Sequence, residues 1–206
     1  MALRLAINGF GRIGRLVYRA FLESNNDAIE VVGINDLGST ESNAHLLKFD
    51  STHGILPQNI VVKGDTIDAG QGAVRVTAEK DPANLPWKEL NVDIALECTG
   101  FFTSKEKAAA HLTAGAKRVI VSAPASGADI TVVFGVNSDQ ITEDHLIVSN
   151  ASCTTNCLAP VAYVLNKTVG IERGFMTTIH AFTGDQRTVD TLHEDLHRAR
   201  TASSSI

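Results

Sequence analysis

Cys153 is the residue of this chain best placed to act as a nucleophile. It lies in Ser149-Asn150-Ala151-Ser152-Cys153-Thr154-Thr155-Asn156, after the strand-like Leu146-Ile147-Val148 and before the helix-like stretch from Cys157 to Leu165. That order puts the cysteine at a helix N-terminus, where unpaired backbone N–H groups and the helix dipole favour a thiolate. A thiolate nucleophile needs a proton acceptor nearby. The strand-like Gly174 to Ile179 ends at His180, and an imidazole with an unperturbed pKa of ~6.5 suits general-base work. Taken alone, the two residue types fit a buried cysteine and a structural histidine equally well. Cys157, four residues after Cys153, and Cys98, at the end of an apolar run, both read as core packing. The Cys-x-x-x-Cys spacing is neither a redox pair nor a zinc knuckle.

An oxidant is suggested near the start. Gly9-Phe10-Gly11-Arg12-Ile13-Gly14 is G-x-G-x-x-G, following a strand-like run and opening a helix-like one. Glycines there let backbone N–H groups approach a pyrophosphate at the helix N-terminus. The next strand ends at Asp36, 22 residues after Gly14. That offset suits an acid on the adenosine ribose, which would repel a 2′-phosphate, so NAD is expected over NADP. The competing reading is a glycine turn with no ligand. A second motif, His193-Glu194-Asp195-Leu196-His197, fits H-E-x-x-H. A third ligand is missing, because Arg198 to Ile206 contains no His, Asp, Glu or Cys, so no metal site is expected.

These groups require a scaffold of alternating strands and helices. Leu3 to Asn8, Ile29 to Asn35, Val92 to Cys98, Arg118 to Ser122, Ile130 to Gly135 and Leu146 to Ser149 read as strands. Arg12 to Ser24 reads as a helix on Ile13, Leu16, Val17, Ala20 and Phe21, and Lys105 to Ala114 as another. Ile60 to Ala78, with Gly64, Gly70 and Gly72, suggests antiparallel hairpins. The expected fold class is α/β, a doubly wound parallel sheet of Rossmann type with the start of an incomplete α+β domain after it. The expected division is 1–151 and 152–206.

With 44% hydrophobic and 20% charged residues the composition is that of an ordinary soluble globular protein. A net charge of -5 argues against a nucleic-acid partner. No apolar stretch reaches the ~20 residues of a membrane helix. The run Leu5-Ala6-Ile7 breaks at once into glycines, so no signal peptide is expected. Three cysteines suggest free thiols in a reducing cytoplasm, where the sequons at Asn150 and Asn166 carry no weight.

The combination resembles phosphorylating glyceraldehyde-3-phosphate dehydrogenases. The resemblance rests on Ile7 to Arg15, Lys48-Phe49-Asp50-Ser51-Thr52-His53-Gly54, Glu97 to Phe102, Ser122-Ala123-Pro124, Phe134 to Asn137 and the Cys153 segment. It implies that Arg12 and Ile13 meet the pyrophosphate, Asp36 the ribose and Lys80 the adenine side, with Ser122 on the nicotinamide side. Cys153 resembles the nucleophile and His180 its base. Ser152, Thr154, Thr183 and Arg198 resemble contacts to the substrate phosphate or inorganic phosphate. The implied reaction converts glyceraldehyde 3-phosphate to 1,3-bisphosphoglycerate through a cysteine thioester in a cytoplasmic homotetramer. Erythrose-4-phosphate dehydrogenase, a non-catalytic NAD-binding fragment and a thiol hydrolase are the alternatives. Family members continue well past the position of Ile206. The resemblance therefore implies a piece of a longer chain, with 152–206 exposing apolar surface and 181–206 poorly ordered when alone. Thr191-Leu192 stands where many NAD-specific members carry Leu-Pro or Gly-Pro, and Phe182 and Gly184 replace a common Tyr and Asn.

Overall fold

A computed structural model describes residues 2–203. Met1 and residues 204–206, the end of the stretch expected to be poorly ordered, lie outside the described residues. Two compact units form, Met1–Thr168 and Val169–Ile206.

The first unit is a nine-stranded sheet with helices. In chain order its elements are β1 (Leu3–Asn8), α1 (Arg12–Ser24), β2 (Ile29–Asn35), α2 (Thr40–Lys48), β3 (Phe49–Asp50), β4 (Gly54–Ile55), β5 (Val61–Lys63), β6 (Thr66–Asp68), β7 (Ala73–Thr77), β8 (Ile94–Glu97), α3 (Lys105–Ala108), α4 (Ala110–Thr113), β9 (Arg118–Val121), β10 (Ile130–Thr131), β11 (Ile147–Ser149) and α5 (Cys153–Thr168). The large sheet runs β10-β11-β9-β8-β1-β2-β7-β6-β5, and β3 and β4 pair separately. Pairings from β10 through β7 are parallel, and β7, β6 and β5 are antiparallel, matching the hairpins expected over 60–78.

The parallel strands are apolar because both faces are covered. Ile7 and Ile34 pack with Tyr18, Leu22 and Leu47 on one side. Ala6, Val32 and Ala95 pack with Trp87 and Val92 on the other. A fully buried isoleucine contributes about 2 kcal/mol. The chain leaves β1 for β2 on one side and returns to β8 on the other. That reversal opens a crevice at the carboxyl ends of the strands, where ligands of such sheets bind.

Several sequence expectations shift. The buried stripe of α1 is Gly14, Tyr18, Arg19 and Leu22. Ile13 is 50% exposed, because Gly14 lets that face of the helix press on the sheet. Helix α2 is not among the elements read from the sequence, although Ser39 caps it by accepting the Ser42 N–H at 3.1 Å. Strand β10 ends at Thr131, since Gly135 at φ 76 belongs to a turn that Val136 N–H closes onto the Val133 carbonyl. The helix expected over 105–114 divides at Ala109.

In the second unit, the expected strand Gly174 to Ile179 is not formed; residues 173–183 carry neither helix nor strand. A strand requires a neighbour for its backbone groups, and among the described residues none pairs with this segment. Phe175 and Ile179 are fully exposed. Among the described residues no helix is long and apolar enough to cross a membrane.

Candidate functional site

The glycine loop joins β1 to α1, and its three glycines do different things. Gly9 has φ 89, and a Cβ there would lie 2.7 Å from Thr99 N, so only glycine lets β1 close onto the loop after β8. A Cβ on Gly14 would lie 2.1 Å from the Gly9 carbonyl oxygen and 3.0 Å from Ile7 Cγ2. A Cβ on Gly11 would meet nothing within 4 Å. Gly11 thus leaves open space at the N-terminus of α1, the geometry a pyrophosphate needs.

A cleft of about 420 Å³ opens there, lined by Gly9, Gly11, Asp36 and Lys80 together with Thr99 and Phe101. Four of the residues expected at a dinucleotide thus share one cavity. Asp36 Oδ2 accepts the Phe10 N–H at 2.9 Å, and Oδ1 accepts the Gly38 N–H at 2.9 Å. Each carboxylate oxygen can accept a second bond, as a ribose diol would require. Arg12 is exposed and ion-paired with Asp50 at 2.9 Å. The His53 N–H, the Arg12 guanidinium and the Thr52 N–H hold the Asp50 carboxyl well below the usual carboxylate range.

A second cleft, of about 430 Å³, is lined by Ile13, Ser122, Ser152 and Cys153. Cys98 lines both clefts. Burial pushes the Cys98 thiol up to about 11, against a hydrogen bond with Ser122 that lowers it. Its reading as a packing residue agrees with its place against the core. Cys153 is exposed. Iodoacetamide at pH 8 is therefore expected to modify Cys153 at least about 100-fold faster than Cys98, only about one in a thousand of which is thiolate there. Peptide mapping over time checks this, and equal rates would show that Cys98 is not shielded.

Cys153 is the first residue of α5, and the turn before it is tightly held. Ser152 Oγ accepts the Thr155 N–H at 3.0 Å, capping the helix. Asn156 Nδ2 donates to the carbonyls of Asn150 and Ser152 at 2.7 and 2.9 Å. Ala151 adopts φ 58, a left-handed conformation that costs an alanine about 1–2 kcal/mol. The fully buried Ser149 holds it there, accepting the Ala151 N–H at 3.2 Å and donating to the Ala123 carbonyl at 2.9 Å. Thr154 is the second residue of the helix. Cys157, expected in the core, is exposed. Among the described residues α5 fully buries none of its side chains, so the helix places Cys157 at the surface rather than in a core.

His180, Thr183 and Arg198 belong to the second unit. The Ala181 carbonyl lies 2.6 Å from His180 Nδ1. A carbonyl only accepts, so Nδ1 carries the proton and the lone pair of a neutral ring sits on Nε2. The Thr183 N–H donates to Gln186 Oε1 at 3.0 Å. Arg198 pairs with Asp185 and, at 3.4 Å, with Asp195. The Arg198 bond also holds the Asp185 carboxyl down. The H-E-x-x-H segment does not form the α-helix that motif requires; only Leu196–Arg198 is helical, as a short 3-10 turn.

Sequence reading missed the polar side chains beneath the first cleft, Asn8, Asn35, Glu97 and His111, all buried. The available signal was an acid closing the apolar run Ile94-Ala95-Leu96-Glu97.

Comparison with known proteins gives the family. Residues 3–105 match the family model for the glyceraldehyde 3-phosphate dehydrogenase NAD binding domain, and residues 152–206 match that for the C-terminal domain. The chain is 68% identical over all its 206 residues to glyceraldehyde-3-phosphate dehydrogenase of Xanthobacter flavus, covering 62% of that protein. It is 62% identical over its whole length to the protein of the same name from Cereibacter sphaeroides, covering 61% of it. Against the Thermotoga maritima protein of that name it is 53% identical over 98% of this chain and 61% of the other. It thus spans about 62% of the length of the first of these relatives. With the NAD-binding fingerprint on its cleft and Cys153 at the head of α5, the chain belongs to the glyceraldehyde 3-phosphate dehydrogenase family.

Proposed function

We propose that this chain carries the cofactor cleft and the nucleophile of an NAD-dependent dehydrogenase that oxidises and phosphorylates glyceraldehyde 3-phosphate to 1,3-bisphosphoglycerate. The observation that carries the reading is the placement of Cys153 at the N-terminus of α5, in a cleft with Ile13 and Ser122 that shares Cys98 with the glycine-loop cleft.

Gly9, Gly11 and Gly14 fit the pyrophosphate, with Arg12 and Ile13 beside it, Asp36 at the ribose, Lys80 at the adenine side and Ser122 at the nicotinamide side. NAD, when bound, supplies the hydride acceptor that turns a hemithioacetal into a thioester. The Cys153 thiolate adds to the aldehyde carbonyl, forming the hemithioacetal. His180 takes the hydroxyl proton through Nε2. The N–H groups at the head of α5 stabilise the oxyanion. Inorganic phosphate then attacks the thioester carbonyl, forming the acyl phosphate and releasing the Cys153 thiolate. Ser152, Thr154, Thr183 and Arg198 hold the phosphates, with Arg198 exchanging Asp185 for a phosphate fork. Residues 1–151 form the cofactor domain, 152–206 begin the catalytic domain, and the whole protein works as a cytoplasmic homotetramer.

NADH absorbance with glyceraldehyde 3-phosphate or erythrose 4-phosphate, with and without inorganic phosphate, tests this. A rate independent of phosphate would remove the phosphorylating step, and a faster rate with erythrose 4-phosphate would change the substrate. Asp36→Ala is expected to weaken NAD about ten-fold while leaving NADP unchanged or tighter, since the repelling charge is gone. Equal losses for both cofactors would place Asp36 away from the ribose.

A further inference from the structure

A chain of polar side chains that the proposed chemistry does not use lies beneath the first cleft. Trp87, the single tryptophan, and His111 are fully buried, and Glu97 is 1% exposed. The Trp87 indole N–H donates to His111 Nδ1 at 3.0 Å, and His111 Nε2 lies 2.9 Å from Glu97 Oε2. An indole nitrogen can only donate, so Nδ1 accepts, Nε2 carries the proton and the imidazole is neutral. The same Glu97 oxygen accepts from Asn8 Nδ2 at 2.6 Å. The other oxygen accepts the Thr99 N–H at 2.7 Å and the Thr99 hydroxyl. Every neighbour donates, which is the bonding of a carboxylate.

The chain continues across the sheet. Asn8 Oδ1 accepts from Asn35 Nδ2 at 2.7 Å, and Asn35 Oδ1 accepts the Glu79 N–H at 2.8 Å. Glu97, Asn8 and Asn35 end the adjacent strands β8, β1 and β2. Each sits at or just before a residue of the cleft: Asn8 before Gly9, Asn35 before Asp36, and Glu97 bonded to Thr99. The Thr99 backbone is also the surface against which Gly9 rests. A shift of Thr99 toward Gly9 would therefore press on the glycine loop. A buried carboxylate is costly unless fully bonded, and here its bonds all run to this cleft floor and to the His111–Trp87 pair behind it.

We infer that Glu97, oriented by the neutral His111–Trp87 pair, is a positioning residue that holds Thr99 against Gly9 and fixes Asn8 beneath it, so that the glycine loop and Asp36 are preset for a dinucleotide. Only the affinity part of its test rests on the NAD reading.

The test is made on this chain with NAD titration and with amide and histidine NMR. Glu97→Gln keeps the shape but turns one acceptor into an NH₂ facing other donors. NAD is then expected to bind roughly ten-fold more weakly, with the amide signals of Gly9, Gly11 and Asp36 displaced. Trp87→Phe removes the donor that fixes the His111 tautomer, with a loss of roughly two- to five-fold and the same signals displaced less. A role in stability alone would lower the melting temperature of both variants without moving those signals. A folded Glu97→Gln chain with wild-type signals and wild-type affinity would overturn the proposal, as would a wild-type His111 protonated on Nδ1. Should Glu97→Gln not fold, Trp87→Phe decides by the same readouts. Should the wild-type chain not bind NAD, the cofactor reading fails, and the amide signals still decide the role of Glu97.

Discussion

If the proposed reaction is right, replacing Cys153 by serine is expected to leave NAD binding as before and to slow its reduction with glyceraldehyde 3-phosphate about 10⁴-fold. A serine hydroxyl at the same helix N-terminus stays protonated at neutral pH, so the head of α5 has no anion to stabilise. The bond that would become the thioester then never forms. The substitution is nearly isosteric at an exposed position, so folding should be little affected. Paired measurements separate chemistry from binding: NADH absorbance for the rate, and an NAD titration for the cleft. A rate within ten-fold of wild type would remove Cys153 from the mechanism. A rate lost together with NAD affinity would mean that the substitution had damaged the cleft.

The second large effect is expected at the glycine loop, where two substitutions of the same kind should behave oppositely. Gly14→Ala places a methyl 2.1 Å from the Gly9 carbonyl oxygen. Neither backbone can yield without pulling α1 off β1, so unfolding free energy should fall by about 3 kcal/mol or more. That is a large part of the stability of an ordinary domain. Gly11→Ala meets nothing within 4 Å, and Gly11 has φ -68, which any residue adopts. Its stability should change by less than about 0.5 kcal/mol. Its NAD affinity should fall at least about ten-fold, because the new methyl stands where the pyrophosphate approaches the helix. Urea unfolding and NAD titration of both variants check this. A stable Gly14→Ala protein would contradict the close contact, and tight NAD binding by Gly11→Ala would move the pyrophosphate elsewhere.

The elements that position the cofactor were legible because they are local. Helix α1 has the bounds its sequence predicts, as do β1 and β2. Each carries a strong period or an apolar run bounded by glycine, and the glycine loop lies between two of them. Reading was weaker where long-range contacts decide. The stripe that α1 buries could not be told from its apolar residues, because Gly14 admits the close approach that turns Tyr18 and Leu22 inward and leaves Ile13 at a cleft. The run from Gly174 to Ile179 has the composition of a strand, yet a strand exists only when another segment pairs with it. Cys157 has the spacing of a core residue but lies on a helix that fully buries no side chain among the described residues.

The sequence by itself determined which chemistry is available: a thiol at a helix N-terminus, a glycine loop that admits a pyrophosphate, and an acid at the end of the second strand. These depend on residue type and on spacing within one strand, turn or helix. Only the tertiary structure decided which of them share a cavity. It placed Gly9, Gly11, Asp36 and Lys80 around one cleft, and Ile13, Ser122 and Cys153 around another, with Cys98 common to both. It also revealed the buried line from Trp87 to Asn35 beneath the first cleft. Asn8 and Glu97 lie 89 positions apart in the chain, and no local pattern records a hydrogen bond of that span. Sheet order alone brings β8, β1 and β2 side by side, and with them the carboxylate and the two asparagines that end those strands.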